Sequence, residues 1–257
     1  TAGRPGRSMT VFVTHHPAGA RRALSVRRVV GRDTAPMGIE AVVFDFDGLL
    51  MDTESSGLAS WQYEWRWHGL ELNADNYFTD HGGDVTEERY AELAAAVGPD
   101  YDRAASHARR VAYRNQLHAE LGLAHGIAEW LGQADDLGLR LAVASSSPRD
   151  WVRGLLDANG ALTAFEFLAC GDEVARPKPD PGVYLLALER LGLPPEHVVA
   201  VEDSPHGVSA AKAAGLRCVA IPNPHADPAR FGVADVVLAS ASEAGLAVVL
   251  HRLTGRE

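Results

Sequence analysis

The chain has 257 residues, 46% of them hydrophobic and 23% charged, with a formal net charge of -10 at pH 7. That length can bury one full core with an insertion, or form two modest domains, and the composition is that of an ordinary globular protein. The negative charge argues against a nucleic-acid groove while leaving room for a locally positive anion site. No apolar run approaches the roughly 18–20 residues that a membrane-spanning helix requires.

The first 38 residues stand apart. They carry seven arginines against the single acid Asp33, and their longest apolar run is Val11 to Val13. This stretch reads as a disordered leader, or as sequence upstream of the true start, with Met37 a natural initiator. From Ile39 onward a pattern repeats: a short apolar run, a polar turn, then a helix-period segment. The predicted strands are Glu40–Phe44, Leu139–Ala144, Phe165–Ala169, His197–Val201, Arg217–Ile221 and Asp235–Leu238. Helices are predicted at Pro148–Asn159, Asp180–Leu191 and Pro205–Ala214. Gly160, Gly192 and Gly215 follow them, where a helix C-terminus favours a left-handed residue. Short, fully apolar strands alternating with helices imply a parallel α/β sheet covered on both faces.

One interval breaks the alternation. Between the first strand and Leu139 the chain is mainly helix-like, with candidates at Leu58–Trp67, Glu87–Val97 and Tyr101–Leu121. A run of helices inserted there reads as a small helical domain on a Rossmann-like core. The expected division is 39–53 and 126–257 for the core and 54–125 for the helical cap. Trp61 and Trp65, four residues apart, share a helix face and suit the core of that cap. Cys170 and Cys218 each end an apolar run, which predicts buried free thiols and fits a reducing cytoplasm.

Ligands of an open parallel sheet bind beyond the carboxyl ends of its strands. The first strand ends in Asp45-Phe46-Asp47-Gly48, the second in Ser145-Ser146-Ser147, and the fourth in Glu202-Asp203-Ser204. Lys178 lies in Arg-Pro-Lys-Pro before a helix. Carboxylates, hydroxyls and an amine converging on one edge suit phosphoryl transfer. One carboxylate can attack phosphorus, a second can move the leaving-group proton, and an oxygen-bound Mg2+ with Lys178 can offset the charge. Taken singly, each motif has a plainer reading. Asp-x-Asp-Gly occurs in turns, the serine run and Glu202-Asp203-Ser204 can cap helices, and an isolated lysine is usually exposed.

In this order the motifs resemble those of the haloacid-dehalogenase superfamily, in the subfamily with a helical cap after the first strand. The chain is similar to its phosphatase and beta-phosphoglucomutase-like members. The resemblance spans Ile39 to Leu250 and includes the run from Asp45 to Glu54. It implies that Asp45 is nucleophile and metal ligand, and that Asp47 is the acid/base with its backbone carbonyl on the metal. It implies that Ser145, Ser146 and Lys178 bind the phosphoryl group, that Asp203 ligates Mg2+, and that Glu202 ligates the metal or stands just outside it. Asp52 and Thr53 would shape the hinge into the cap.

The cap departs from the family pattern. Mutases carry a histidine where this chain has Gly57. They also use a cap arginine for a second phosphate, whereas the stretch from His81 to Thr86 has none. His81 and Asp84 there would face substrate hydroxyls or an amine, or only shape a turn. Another cap arginine, Arg66, Arg89 or Arg114, could reach the site instead. Asp47 argues against dehalogenation, and the only lysines, Lys178 and Lys212, lie outside the cap and so exclude a cap Schiff base. The expected enzyme is a Mg2+-dependent phosphatase acting on a small phosphate ester. A sugar-phosphate mutase or a non-catalytic binding protein with the same fold are the alternatives.

Overall fold

A computed structural model describes residues 38–74, 77–78, 85–223 and 226–255. The expectations for residues 1–37 and for His81 and Asp84 lie outside the described residues. Six strands form one parallel sheet: β1 (Ala41–Phe44), β2 (Arg140–Ala144), β3 (Phe167–Ala169), β4 (Val198–Glu202), β5 (Arg217–Ala220) and β6 (Val236–Val237). The spatial order is β3-β2-β1-β4-β5-β6, with β1 central and paired in parallel to both β2 and β4. The chain therefore leaves β1 in one direction for β2 and returns to its other side at β4. The switch point, where ligands bind in such sheets, falls at the end of β1.

Side chains alternate across each strand and build two separate cores. Val42, Phe44, Leu141, Val143, Val199 and Val201 face one side. They meet α4 (Ile127–Asp136), α5 (Arg149–Ala158) and α8 (Leu246–Thr254) through Trp130, Val152, Leu156 and Val249. Ala41, Val43, Ala142, Ala144, Val198 and Ala200 face the other side. There α6 (Gly182–Leu191) and α7 (Pro205–Ala213) supply Val183, Tyr184, Val208 and Ala211. The second face is rich in alanine, which leaves space for the large Tyr184 ring beneath the strands. Both cysteines are buried and free, as predicted.

Between β1 and β2 come α1 (Thr53–Trp67), α2 (Thr86–Val97) and α3 (Arg103–Ala119). Asp52 caps α1 by accepting from Ser55 N, and Asp102 caps α3 by accepting from Ala104 N and Ala105 N. Trp61, Tyr77 and Tyr90 form a third apolar cluster, with Trp65 packed at its margin. Glu64 is fully buried on α1 and is held by both Arg109 (2.6 and 3.2 Å) and His68 (3.2 Å). A carboxylate removed from water needs such partners, so the pairing fixes α1 against α3.

The predicted elements differ from the observed ones mainly at their ends. Helices α4 and α8 are not among the predicted elements; each is short, and only part of its apolar set (Ile127 and Trp130, then Leu246, Val249 and Leu250) is buried against the sheet, while Val248 is exposed. The strand expected from Phe165 starts at Phe167. A 3-10 turn over Leu162–Ala164 turns Phe165 inward, where its ring meets that of Phe44 edge-on at 6.3 Å. The helix expected from Asp180 begins at Gly182, because the Asp180 side chain accepts from Gly182 N before the helix starts. Gly192 ends that helix at φ 64°, in the left-handed region its position predicted. Among the described residues, no helix is long and apolar enough to cross a membrane.

Candidate active site

Beyond the last pleat of β1 the chain places Phe46 in the core and turns Asp45 and Asp47 outward on either side of it. Leu50 N and Met51 N both return to Phe46 O, closing a tight loop. Gly48 makes that loop possible. Its φ is 82°, and a Cβ at this position would lie 2.1 Å from Asp203 Oδ2. Only glycine allows both the backbone conformation and the approach of the third carboxylate.

Lys178 ties the strand ends together. Its Nζ donates to Asp45 Oδ1 (2.5 Å), Glu202 Oε1 (2.6 Å) and Ala144 O (2.8 Å), so all three of its protons are committed. The lysine is only 6% exposed, which rules out the solvated-lysine reading of this residue. Glu202 is fully buried, and Tyr184 Oη donates to the same Oε1 at 2.6 Å. Its other oxygen accepts from Asp203 N and Ser204 Oγ. Ser204 also caps α7 through Gly207 N, so Glu202-Asp203-Ser204 combines a helix cap with a carboxylate cluster.

The electrostatics are unbalanced toward negative charge. Burial pushes the Asp45 carboxyl up to about 8 despite Lys178, and Glu202 and Asp47 add to the effect. Asp203 is also driven well above the carboxylate range, first by burial and then by Asp45, Glu202 and Glu54, with only the charge of Lys178 opposing. Burial alone would lower the Lys178 ammonium, but Asp45 and Glu202 outweigh it and hold it up. Oxygens of Asp45, Glu202 and Asp203 all lie within 4.8 Å of one another. Buried, oxygen-only and short of positive charge, this cluster fits a hard metal cation.

Asp47 has a different setting. Its Oδ1 accepts from Thr53 Oγ1 (2.9 Å) and Trp151 Nε1 (3.0 Å). Its Oδ2 accepts from Ser147 Oγ (2.6 Å) and, more weakly, Ser145 Oγ (3.4 Å). The serine run therefore does not cap α5: Pro148 occupies the N-cap position without a side-chain bond, and Ser147 turns to Asp47. Ser145 is fully buried, and its Oγ, besides donating to Asp47, accepts from Ser147 N at 2.9 Å. Ser146 and Ser147 line the cavity, and Ser146 Oγ accepts from Lys178 N.

A cavity of about 870 Å³ opens above these groups. Asp45, Asp47, Lys178 and Asp203 form its floor, while Gly57, Trp61, Arg89, Arg110 and Arg114 from α1, α2 and α3 stand opposite. Trp61 thus serves both the apolar cluster and the cavity wall. Arg89 and Arg114 reach the cavity, as two of the three arginines considered; Arg66 does not line it. Arg89 Nη2 donates to Tyr77 O, and Arg110 Nε to Tyr90 Oη, both at 2.8 Å. Burial and the neighbouring charge of Arg110 lower Arg114. Glu54, Arg110 and Trp151, which line the cavity, and Tyr184, which lies behind Glu202 outside its lining, were not singled out in the sequence. Glu54 follows the hinge directly and could have been found there. The other three are brought in by helix faces that carry no local signature.

Comparison with known proteins agrees with this geometry. The family model for haloacid dehalogenase-like hydrolases matches residues 42–221. Protein CbbY of Cereibacter sphaeroides is 36% identical over 222 residues, covering 80% of this chain and 94% of that one. Hexitol phosphatase B of Escherichia coli is 32% identical, covering 82% and 96%. The crystal structure of CbbY from Rhodobacter sphaeroides in complex with phosphate superposes with a TM-score of 0.65 at 35% identity, over 81% of this chain and 98% of that one. The chain belongs to the haloacid dehalogenase-like hydrolase family, among its phosphatase-type enzymes.

Proposed function

We propose that the protein is a Mg2+-dependent phosphatase of a small phosphorylated metabolite, working through an aspartyl-phosphate on Asp45. The observation that carries this reading is the contrast between two aspartates of one strand end facing one cavity. Asp45 is bonded to a buried ammonium, and Asp47 sits in a cradle of neutral donors. In the first step an Asp45 oxygen bonds to phosphorus as the ester P–O bond breaks, and Asp47 gives its proton to the departing oxygen. In the second, Asp47 takes a proton from water as that water's oxygen bonds to phosphorus and Asp45 departs. Lys178 keeps Asp45 oriented and, with Ser145, Ser146 and the backbone of their loop, meets the phosphoryl oxygens. Asp45, Asp203 and the Asp47 carbonyl would hold Mg2+, with Glu202 at its margin, and the ion would neutralise charge on the phosphoryl oxygens.

In this reading α1 to α3 act as a cap of residues 54–125 over a core of 39–53 and 126–257, and they select the substrate. Relatives are named for hexitol phosphate and for validoxylamine A 7'-phosphate, and CbbY has been crystallised with xylulose-(1,5)bisphosphate. A polar wall with Arg89 and Arg114 suits a polyhydroxylated phosphate ester of that kind. A panel of such esters, assayed for inorganic phosphate with EDTA and with Mg2+, tests the reading. Metal-dependent release from at least one ester supports it, and undiminished turnover in metal-free buffer contradicts it. Phosphatase is favoured over mutase because Gly57 has no side chain to link acid/base chemistry to closure. With beta-glucose 1-phosphate and a bisphosphate primer, 31P NMR should show free phosphate, with little glucose 6-phosphate.

A further inference from the structure

We infer that Trp151 is a positioning residue for Asp47, the donor that fixes the direction in which the acid/base carboxylate faces. The inference rests on the proposed role of Asp47 and concerns how this chain, in particular, holds it.

Four donors reach the Asp47 carboxylate, and they are not equivalent. Thr53, Ser147 and Ser145 act through hydroxyls, which rotate freely and can accept as readily as donate. Trp151 acts through an indole N–H, which only donates and whose direction is fixed by the ring plane. That plane is held from three sides. The ring packs at the margin of the apolar core beneath α5. His118 of α3 meets it edge-on, with ring centroids 4.9 Å apart and planes at 70°. The Arg114 guanidinium stands 5.4 Å from its centroid. Among the described donors to Asp47, Trp151 is thus the one whose N–H direction is set by the packing of its ring. It is also the point where the α3 helix bears on the Asp47 cradle.

Fixing a carboxylate matters where a proton must travel along one line. A general acid must present its oxygen within hydrogen-bond reach of the leaving group, and misplacement lowers the rate of that step more than it lowers binding. Losing the indole donor should thus slow leaving-group release only where that group needs a proton, and should slow hydrolysis of the aspartyl-phosphate, in which Asp47 takes a proton from water, with every substrate.

The test compares two substrates in the parent, two Trp151 variants and Asp47→Asn. Trp151→Phe keeps the ring against His118 and Arg114 but removes the N–H. In single turnovers with enzyme in excess, the rate of alcohol release from an alkyl phosphate ester should fall roughly 10- to 100-fold, the worth of one hydrogen bond to a charged group, with the half-saturating concentration little changed. With p-nitrophenyl phosphate, whose phenolate departs unprotonated, the single-turnover rate of phenolate release should change only slightly, while release of inorganic phosphate slows as it does with the alkyl ester. Asp47→Asn should show the same preference, more strongly. Melting curves establish that each variant is folded, and Trp151→Tyr, a ring without the indole N–H, gives a second reading if Phe loosens the fold. A folded Trp151 variant in which leaving-group release slows equally for both substrates, or for neither, while Asp47→Asn discriminates between them, overturns the role of Trp151 alone. An Asp47→Asn protein that does not discriminate overturns the acid/base assignment and this inference with it.

Discussion

Lys178 and Asp45 form a buried ion pair at 2.5 Å, and the same ammonium lies 2.6 Å from Glu202. Removing a charge from such a cluster leaves the partners uncompensated, which typically costs about 3–5 kcal/mol. Lys178→Met should therefore lower the unfolding free energy measured in urea by an amount of that order and abolish turnover. Adding Glu202→Gln should restore part of the stability, because one stranded carboxylate is removed, but none of the activity. A single variant as stable as the parent would show that the pair is not the structural keystone described above.

Gly48 separates the nucleophile loop from Asp203, and any side chain there meets the Asp203 carboxylate. Gly48→Ala should displace that carboxylate and raise the Mg2+ concentration for half-maximal activity by about 10-fold or more, as disturbance next to a metal ligand commonly does. Calcium should not replace Mg2+, because its larger and looser oxygen sphere misplaces the reacting groups. Unchanged Mg2+ dependence in Gly48→Ala would remove Asp203 from the metal site.

Glu54 gives a pH signature. Burial, followed by the charges of Asp47 and Asp52, pushes its carboxyl up to about 7 against the partial relief of Arg89. A carboxyl raised on folding favours the folded state fully below its unfolded value, and that contribution is lost as pH rises through the folded one. The window is therefore from about pH 4.5 to just above 7. A shift of this size amounts to roughly 3 kcal/mol. In metal-free buffer, the Tm of Glu54→Gln relative to the parent should rise between pH 5 and 8. A constant difference across that range would place Glu54 in water.

Much of the site could be read from the sequence because strand ends put their chemistry at one edge. Asp45, Asp47 and Asp203 each follow an apolar run closely, so order along the chain predicted convergence in space. Lys178 was legible through its Arg-Pro-Lys-Pro setting, although its burial was not. What escaped was side-chain direction. Which serines face the cavity depends on how the loop turns after β2, and nothing in three consecutive serines marks it. Trp151 and Arg110 enter from helix faces, where a long side chain's target is set by packing against other elements. The boundaries of β3 and α6 moved for a similar reason, since Phe165 and Asp180 spend their contacts locally instead of extending the element.

Asp45 as the nucleophile is tested most directly by trapping the intermediate. The parent protein, mixed with a 32P-labelled phosphate ester and Mg2+ and quenched in acid within milliseconds, should carry label that alkaline hydroxylamine releases and that maps to the peptide holding Asp45. Folded Asp45→Asn, treated identically, should carry no label and release no phosphate. Appreciable turnover by that variant, or label on another residue of the parent, would contradict the mechanism.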